Sequence, residues 1–143
     1  MKRVIIIHRW DGNPESDWYQ SVAESLKEEG FQVYVPQMPN TQEPEINAWV
    51  NQLKEIVSKP NLETYFIGHS IGCQTILRYL EQLDKKIRVG KVIFVAPWFN
   101  LQNIDQDSEK IVKPWIETPI DLDKVKNHLT NITCIFSDND QWV

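Results

Sequence analysis

Ser70 sits between two glycines in Gly68-His69-Ser70-Ile71-Gly72, a spacing that can turn a serine into a nucleophile. A hydroxyl attacks a carbonyl poorly by itself. It has to be lifted clear of the backbone, given a base, and faced with donors for the negative charge that develops. The run Thr64-Tyr65-Phe66-Ile67 before the turn is β-branched and aromatic, and helical spacing begins at once after it with Cys73, Ile76, Leu77, Leu80 and Leu83. This is strand, sharp turn, helix. A turn so tight forces its central residue into a strained conformation, and flanking glycines remove the Cβ atoms that would collide with strand and helix. Ser70 is thereby placed at a helix N-terminus, where the free N–H groups and the helix dipole favour an anion. An ordinary glycine-rich turn could carry the same five residues, so the reading rests on the flanking strand and helix.

Acyl transfer needs further groups, and the ends of other apolar runs supply candidates. Ser137-Asp138-Asn139-Asp140 follows the last run, and either Asp140 or Asp138 could orient a catalytic histidine. After the first run, a loop N–H in His8-Arg9-Trp10 could join the N–H of Ile71 in an oxyanion hole. Arg9 could set a cation near an acidic substrate group or point into solvent. His69 lies within the turn itself, which directs its side chain away from Ser70. His8 reads as a structural or positioning residue, and His128 as a surface residue after a short helix. Trp18 and Trp49 fall on helical apolar stripes and read as core. Trp10, Trp98 and Trp142 follow strand ends and Trp115 lies in a long irregular segment, so these four could line one apolar pocket above Ser70 or pack locally. Such a pocket, bordered also by His8 and His69, would suit an apolar acyl or aryl group in an ester. Cys73 and Cys134 stand among apolar neighbours without ligand spacing and are expected as buried free thiols. No metal or cofactor is expected.

These residues need a scaffold. The apolar runs Val4–Ile7, Phe31–Val35, the strand before Ser70, Lys91–Ala96 and Ile132–Phe136 alternate with helical patterns. The first helix is expected to be capped at Asn13 or Ser16, to bury Trp18, Val22, Ala23 and Leu26, and to stop at Gly30. A second runs from Ile46 to Pro60, and a short one from Asp121 to Leu129. Residues 99–119 lack a clean period and are expected to be irregular, either a cap over the site or a surface loop. Alternation of this kind predicts an α/β fold: a mostly parallel central sheet between helical layers, with sites at the carboxyl ends of the strands. The 143 residues read as one domain. A net charge of −5 offers no basic surface to nucleic acid or an anionic membrane, and the opening apolar run is far too short for a signal peptide or a span. A cytoplasmic protein is expected.

The opening strand ending in His8, the helix bearing Trp18, the Gly68–Gly72 turn, the Val95-Ala96-Pro97 strand end and the Ser137–Asp140 segment together resemble the small serine hydrolases of the YdeN and retinoblastoma-binding-protein-nine type, compact members of the α/β-hydrolase fold. The resemblance spans nearly the whole chain. It implies an esterase-like hydrolase acting through an acyl-enzyme on Ser70, with Asp140 as triad acid and Asp138 as second choice. It also implies a final helix and a catalytic histidine beyond Val143, so that the sequence reads as a C-terminally shortened form. Arg9 departs from the glycine that usually follows this histidine. A shortened form should expose apolar sheet surface, giving marginal stability or association between copies. The competing reading is a weak or inactive protein that keeps the hydrolase scaffold for binding.

Overall fold

The unbroken run from Val4 to Ile7 builds the centre of β1 (Arg3–Ile7) in the computed structural model, which describes residues 1–143. A strand buried on both faces needs apolar residues at every position rather than at alternate ones. The five strands form one parallel sheet in the order β2-β1-β3-β4-β5, with β2 spanning Gln32–Tyr34, β3 Thr64–His69, β4 Lys91–Val95 and β5 Asn131–Ile135. Pleating sends Val4, Ile6 and Ile67 to one face, against Tyr19 and Ala23 of α1 (Tyr19–Glu28). Ile5, Ile7, Phe66, Val92 and Phe94 go to the other. That second face carries the larger core, closed by α2 (Ile46–Ile56), α3 (Ile71–Glu81), α4 (Gln106–Glu117) and α5 (Leu122–His128). No helix is long and apolar enough to cross a membrane.

The chain leaves β1 toward β2 on one side and toward β3 on the other. The carboxyl ends of β1 and β3 therefore meet at the switch point, where doubly wound sheets open a crevice. Ile7 pairs with Gly68 there, which brings the His8–Trp10 loop beside Ser70.

Several local expectations are corrected. Residues 106–117 form a regular helix, α4, capped by Asp105, whose side chain accepts from the Ser108 N–H at 2.8 Å. Pro114 lies inside the helix, where it leaves the Lys110 carbonyl without an intrahelical donor, and Val112 and Trp115 face inward; Trp115 is core, with its indole donating to the Pro44 carbonyl. Helix α1 begins at Tyr19, so its fully buried positions are Tyr19 and Ala23, while Trp18, Val22 and Leu26 pack half-buried beside them. His128 is buried, its Nδ1 bonded to the Ile87 carbonyl, and Cys134 is exposed on β5.

Candidate active site

Ser70 has φ 54° and ψ −117°, the strained geometry expected of a residue squeezed between strand and helix. Both glycines are needed for it. A Cβ on Gly68 would lie 2.8 Å from the backbone of Cys73, and one on Gly72 would overlap the Ile7 carbonyl. The turn is pinned to β4 by the Ser70 N–H, which donates to the Val95 carbonyl at 2.9 Å. Its hydroxyl lies in the floor of a cleft of about 750 Å³ that is also bordered by Arg9, Trp10, His69, Asp140 and Trp142. Six non-glycine residues have positive φ, and five of them, Asp11, Asp17, Ser70, Ala96 and Asn103, line this one cleft. Strain costs about 1–3 kcal/mol per residue and persists where the surroundings over-determine it, so its concentration makes this cleft the candidate functional site.

The polar groups separate into those free to act and those already engaged. The Arg9 N–H donates to the Tyr19 hydroxyl at 3.0 Å, which removes it from an oxyanion hole. The Trp10 N–H has no partner within the chain, and the Ile71 N–H opens α3, where first-turn donors have no intrahelical acceptor. The Arg9 guanidinium, partly exposed at the cleft, is already paired. It pairs with Asp17 at 2.7 Å and donates to the Trp10 and Asp11 carbonyls, and the Asp17 carboxylate raises its pKa further.

The three histidines are all accounted for. His8 is fully buried: its Nε2 accepts from the Met38 N–H at 2.9 Å, leaving Nδ1–H to donate to the Arg9 carbonyl at 2.8 Å. Burial drives its pKa below the usual value of 6.5, and it joins two loops beneath the cleft rather than lining it. His69 does line the cleft. The Tyr19 hydroxyl, already accepting from Arg9, also shares a hydrogen bond of 2.7 Å with His69 Nδ1. Burial lowers the His69 pKa too, against the opposing pull of Asp17, whose carboxylate stands 3.6 Å from Nδ1. His128 borders a separate depression beside α5.

Asp140 borders the cleft, half-buried, with Oδ1 accepting from the N–H groups of Trp142 and Val143; Asp138 is exposed and outside it. Trp142 lines the cleft. Trp98 lies beneath it, buried, with its indole N–H donating to Ser70 Oγ at 2.9 Å. That bond, the Tyr19–His69 pair and Asp17 were not legible in the sequence. Tyr19 falls one position away from the expected helical stripe, and only its spacing of four from Ala23 hints at an inward side chain. No three His, Cys, Asp or Glu side chains converge to hold a metal ion.

Residues 4–143 match the family model described as Serine hydrolase. YdeN of Bacillus subtilis (strain 168) is 30% identical over 122 residues, covering 78% of this chain and 64% of that protein, so the chain spans a little under two thirds of its length. The crystal structure of the ydeN gene product from B. subtilis superposes with a TM-score of 0.88 at 26% identity, over 99% of this chain and 74% of that one. A structure of Est1E from Butyrivibrio proteoclasticus with ferulic acid bound shares the fold, with a TM-score of 0.57 at 13% identity over 96% of this chain and 79% of that one.

Proposed function

The chain belongs to the serine hydrolase family, and from that premise we propose an esterase-like hydrolase in which Ser70 attacks the carbonyl carbon of a small carboxylic ester. The observation that carries this reading is Ser70, held at φ 54° beside the open Ile71 N–H, in a cleft that also contains Asp140. In the proposed step, Ser70 Oγ forms a bond to the carbonyl carbon while its proton passes to a base. The displaced electron pair settles on the carbonyl oxygen, facing the Ile71 and Trp10 N–H groups. Collapse expels the alcohol, which takes up the proton, and leaves an acyl group on Ser70 that water removes by the same route. Leu101, Ile104, Ile111 and Trp142 supply an apolar flank for the acyl or aryl portion.

The base proposed is a histidine outside these 143 residues, oriented by Asp140. This reading is supported by the engagement of His8 at both ring nitrogens and of His69 at Nδ1, and by the order Ser, Asp, His that the family resemblance implies. The same engagement favours a second reading, a binding protein that keeps the hydrolase scaffold. The discriminating experiment extends the chain past Val143 with the corresponding segment of the Bacillus subtilis relative and exposes it to a fluorophosphonate probe. Labelling at Ser70 that disappears in Ser70→Ala, with p-nitrophenyl acetate turnover, is the expected outcome. An extended chain that is neither labelled nor stabilised by any ester in a thermal-shift screen would sink the hydrolase reading and favour binding.

A further inference from the structure

The tryptophan indoles with recorded hydrogen bonds fall into two kinds. Those of Trp10, Trp49 and Trp115 donate to backbone carbonyls of Gln42, Pro39 and Pro44, the usual way a packed indole satisfies its single donor. Trp98 instead donates to a side chain, the Ser70 hydroxyl, at 2.9 Å. At 4% exposure its N–H depends on that acceptor.

Trp98 is itself held by a buried polar chain. Its carbonyl accepts from Gln74 Nε2 at 3.1 Å, and Gln74 Oε1 accepts from Arg78 Nε at 3.2 Å and from Nη2 at 2.9 Å. Arg78 Nη2 also donates to the carbonyls of Trp115 at 3.0 Å and Thr118 at 2.8 Å, while the guanidinium lies 5.8 Å from the Trp115 ring centre. Gln74 and Arg78 are 1% and 3% exposed, and no carboxylate lies within ion-pair distance of the cation. Burying a cation against carbonyl oxygens alone is an expensive way to fill space. What it accomplishes is continuity from the C-terminal end of α4, across two turns of α3, to the hydroxyl of Ser70.

We propose that Trp98 is a further catalytic residue, its indole N–H a fixed donor to Ser70 Oγ, with Gln74 and Arg78 as its positioning residues. The inference rests on Ser70 being the nucleophile. The indole occupies one lone pair of Oγ and so selects the serine rotamer, leaving the second lone pair to attack and the hydroxyl proton to leave toward the base. As that proton departs, charge grows on Oγ and the bond to the indole strengthens. The same donor receives the charge again when Oγ is expelled during deacylation. An interaction stronger in the transition state than in the ground state raises the rate.

Trp98→Phe keeps the buried ring and removes the N–H, and Gln74→Glu keeps an acceptor for Arg78 while removing the donor to the Trp98 carbonyl. Two readouts test the pair. In the 143-residue chain labelled with ¹⁵N, the Trp98 indole resonance, assigned by its loss in Trp98→Phe, should move in Ser70→Ala further than any of the other five tryptophan resonances. In the extended chain described above, fluorophosphonate labelling should slow about tenfold in Trp98→Phe, the worth of one hydrogen bond to a group gaining charge, and less in Gln74→Glu. An indole resonance indifferent to Ser70→Ala overturns the inference whatever the labelling shows. Equal labelling of wild type and Trp98→Phe, with both folded by circular dichroism, overturns it as well. An unlabelled wild type whose indole resonance does respond removes the nucleophile reading, and with it the reactive role of Trp98, while leaving the bond in place.

Discussion

On the Ser70 side of the cleft, ten of the eleven residues of α3 are buried, whereas all five residues of β5, which leads to Asp140, are exposed. The serine is fixed by tertiary packing: glycines against the backbone of β1 and α3, a hydrogen bond to Val95, a tryptophan beneath the hydroxyl. Asp140 is directed by a turn of its own residues, through bonds to Trp142 and Val143, and that turn is tied to the loop after β4 only by the Gln102 N–H and the Asn103 side-chain amide, which donate to the Trp142 and Gln141 carbonyls. The proposed nucleophile has to be held within a fraction of an ångström in a conformation that costs energy, and only a dense core can enforce that. The carboxylate proposed to orient a base needs less, because its turn sets its direction. The two sides should therefore respond to substitution on different scales.

Gly72→Ala should have the largest effect. Its new Cβ meets the Ile7 carbonyl, a backbone atom in the middle of the sheet that cannot swing aside. A loss of about 3 kcal/mol or more is expected, beyond ordinary overpacking. A guanidinium unfolding midpoint close to wild type would show that the junction of β1 and α3 yields more easily than its packing indicates. Arg78→Met comes next. It keeps the apolar stem but strands Gln74 Oε1 and the carbonyls of Trp115 and Thr118, for an expected loss of about 2–3 kcal/mol. Amide exchange should accelerate in α4 more than in α2, and uniform exchange would argue against a clamp.

Acid should weaken the packed side as well. Burial lowers the pKa of His8 and of His69 below the 6.5 expected when unfolded, so the unfolded chain binds more protons than the folded one across that window. The contribution is complete above pH 6.5 and is lost as pH falls from there toward the lowered folded values. Protonating His8 would also place a proton on the nitrogen that accepts from Met38. Urea midpoints between pH 8 and pH 5 should fall on the acid side, and His8→Gln, whose amide oxygen can accept the same bond, should flatten the slope. A midpoint that rises on acidification would contradict this sign.

The packed side was also the legible one. An unbroken Val-Ile run, a glycine-flanked serine and the helical spacing after it dictate β1, β3, α3 and the tight turn that holds Ser70, because burial leaves the sequence little choice. What could not be read there depends on partners distant in sequence. That Trp98 reaches Ser70, that Tyr19 holds both Arg9 and His69, and that His8 is sealed against Met38 are consequences of strand order. Helix α4 escaped for a different reason. Pro114 and four acidic residues from Asp105 to Glu117 disguise a face carried by Val112 and Trp115, whose burial is decided by the helices they meet. The expected alternation of strand and helix holds up to β4, after which α4 and α5 follow one another before β5, and β5 keeps its strand pattern with neither face covered.

That uncovered strand is where the smallest effect on stability is expected. Ile132 shares a face with Val92 and Ile135 with Val95, yet they are 45% and 51% exposed, and Phe136 just beyond is 64% exposed. Replacing both isoleucines by threonine keeps the branching that suits a strand and removes little buried area. The unfolding free energy should change by no more than about 0.5 kcal/mol. The solution behaviour should change more, because a bare sheet edge with apolar side chains invites another copy. Sedimentation should show wild-type mass rising with concentration and the double variant remaining monomeric. If the variant instead unfolds at much lower denaturant, the strand is structural despite its exposure, and the contrast between the two sides of the cleft fails. If both proteins are monomeric at every concentration, the contrast in rigidity stands and the bare edge is not an association surface.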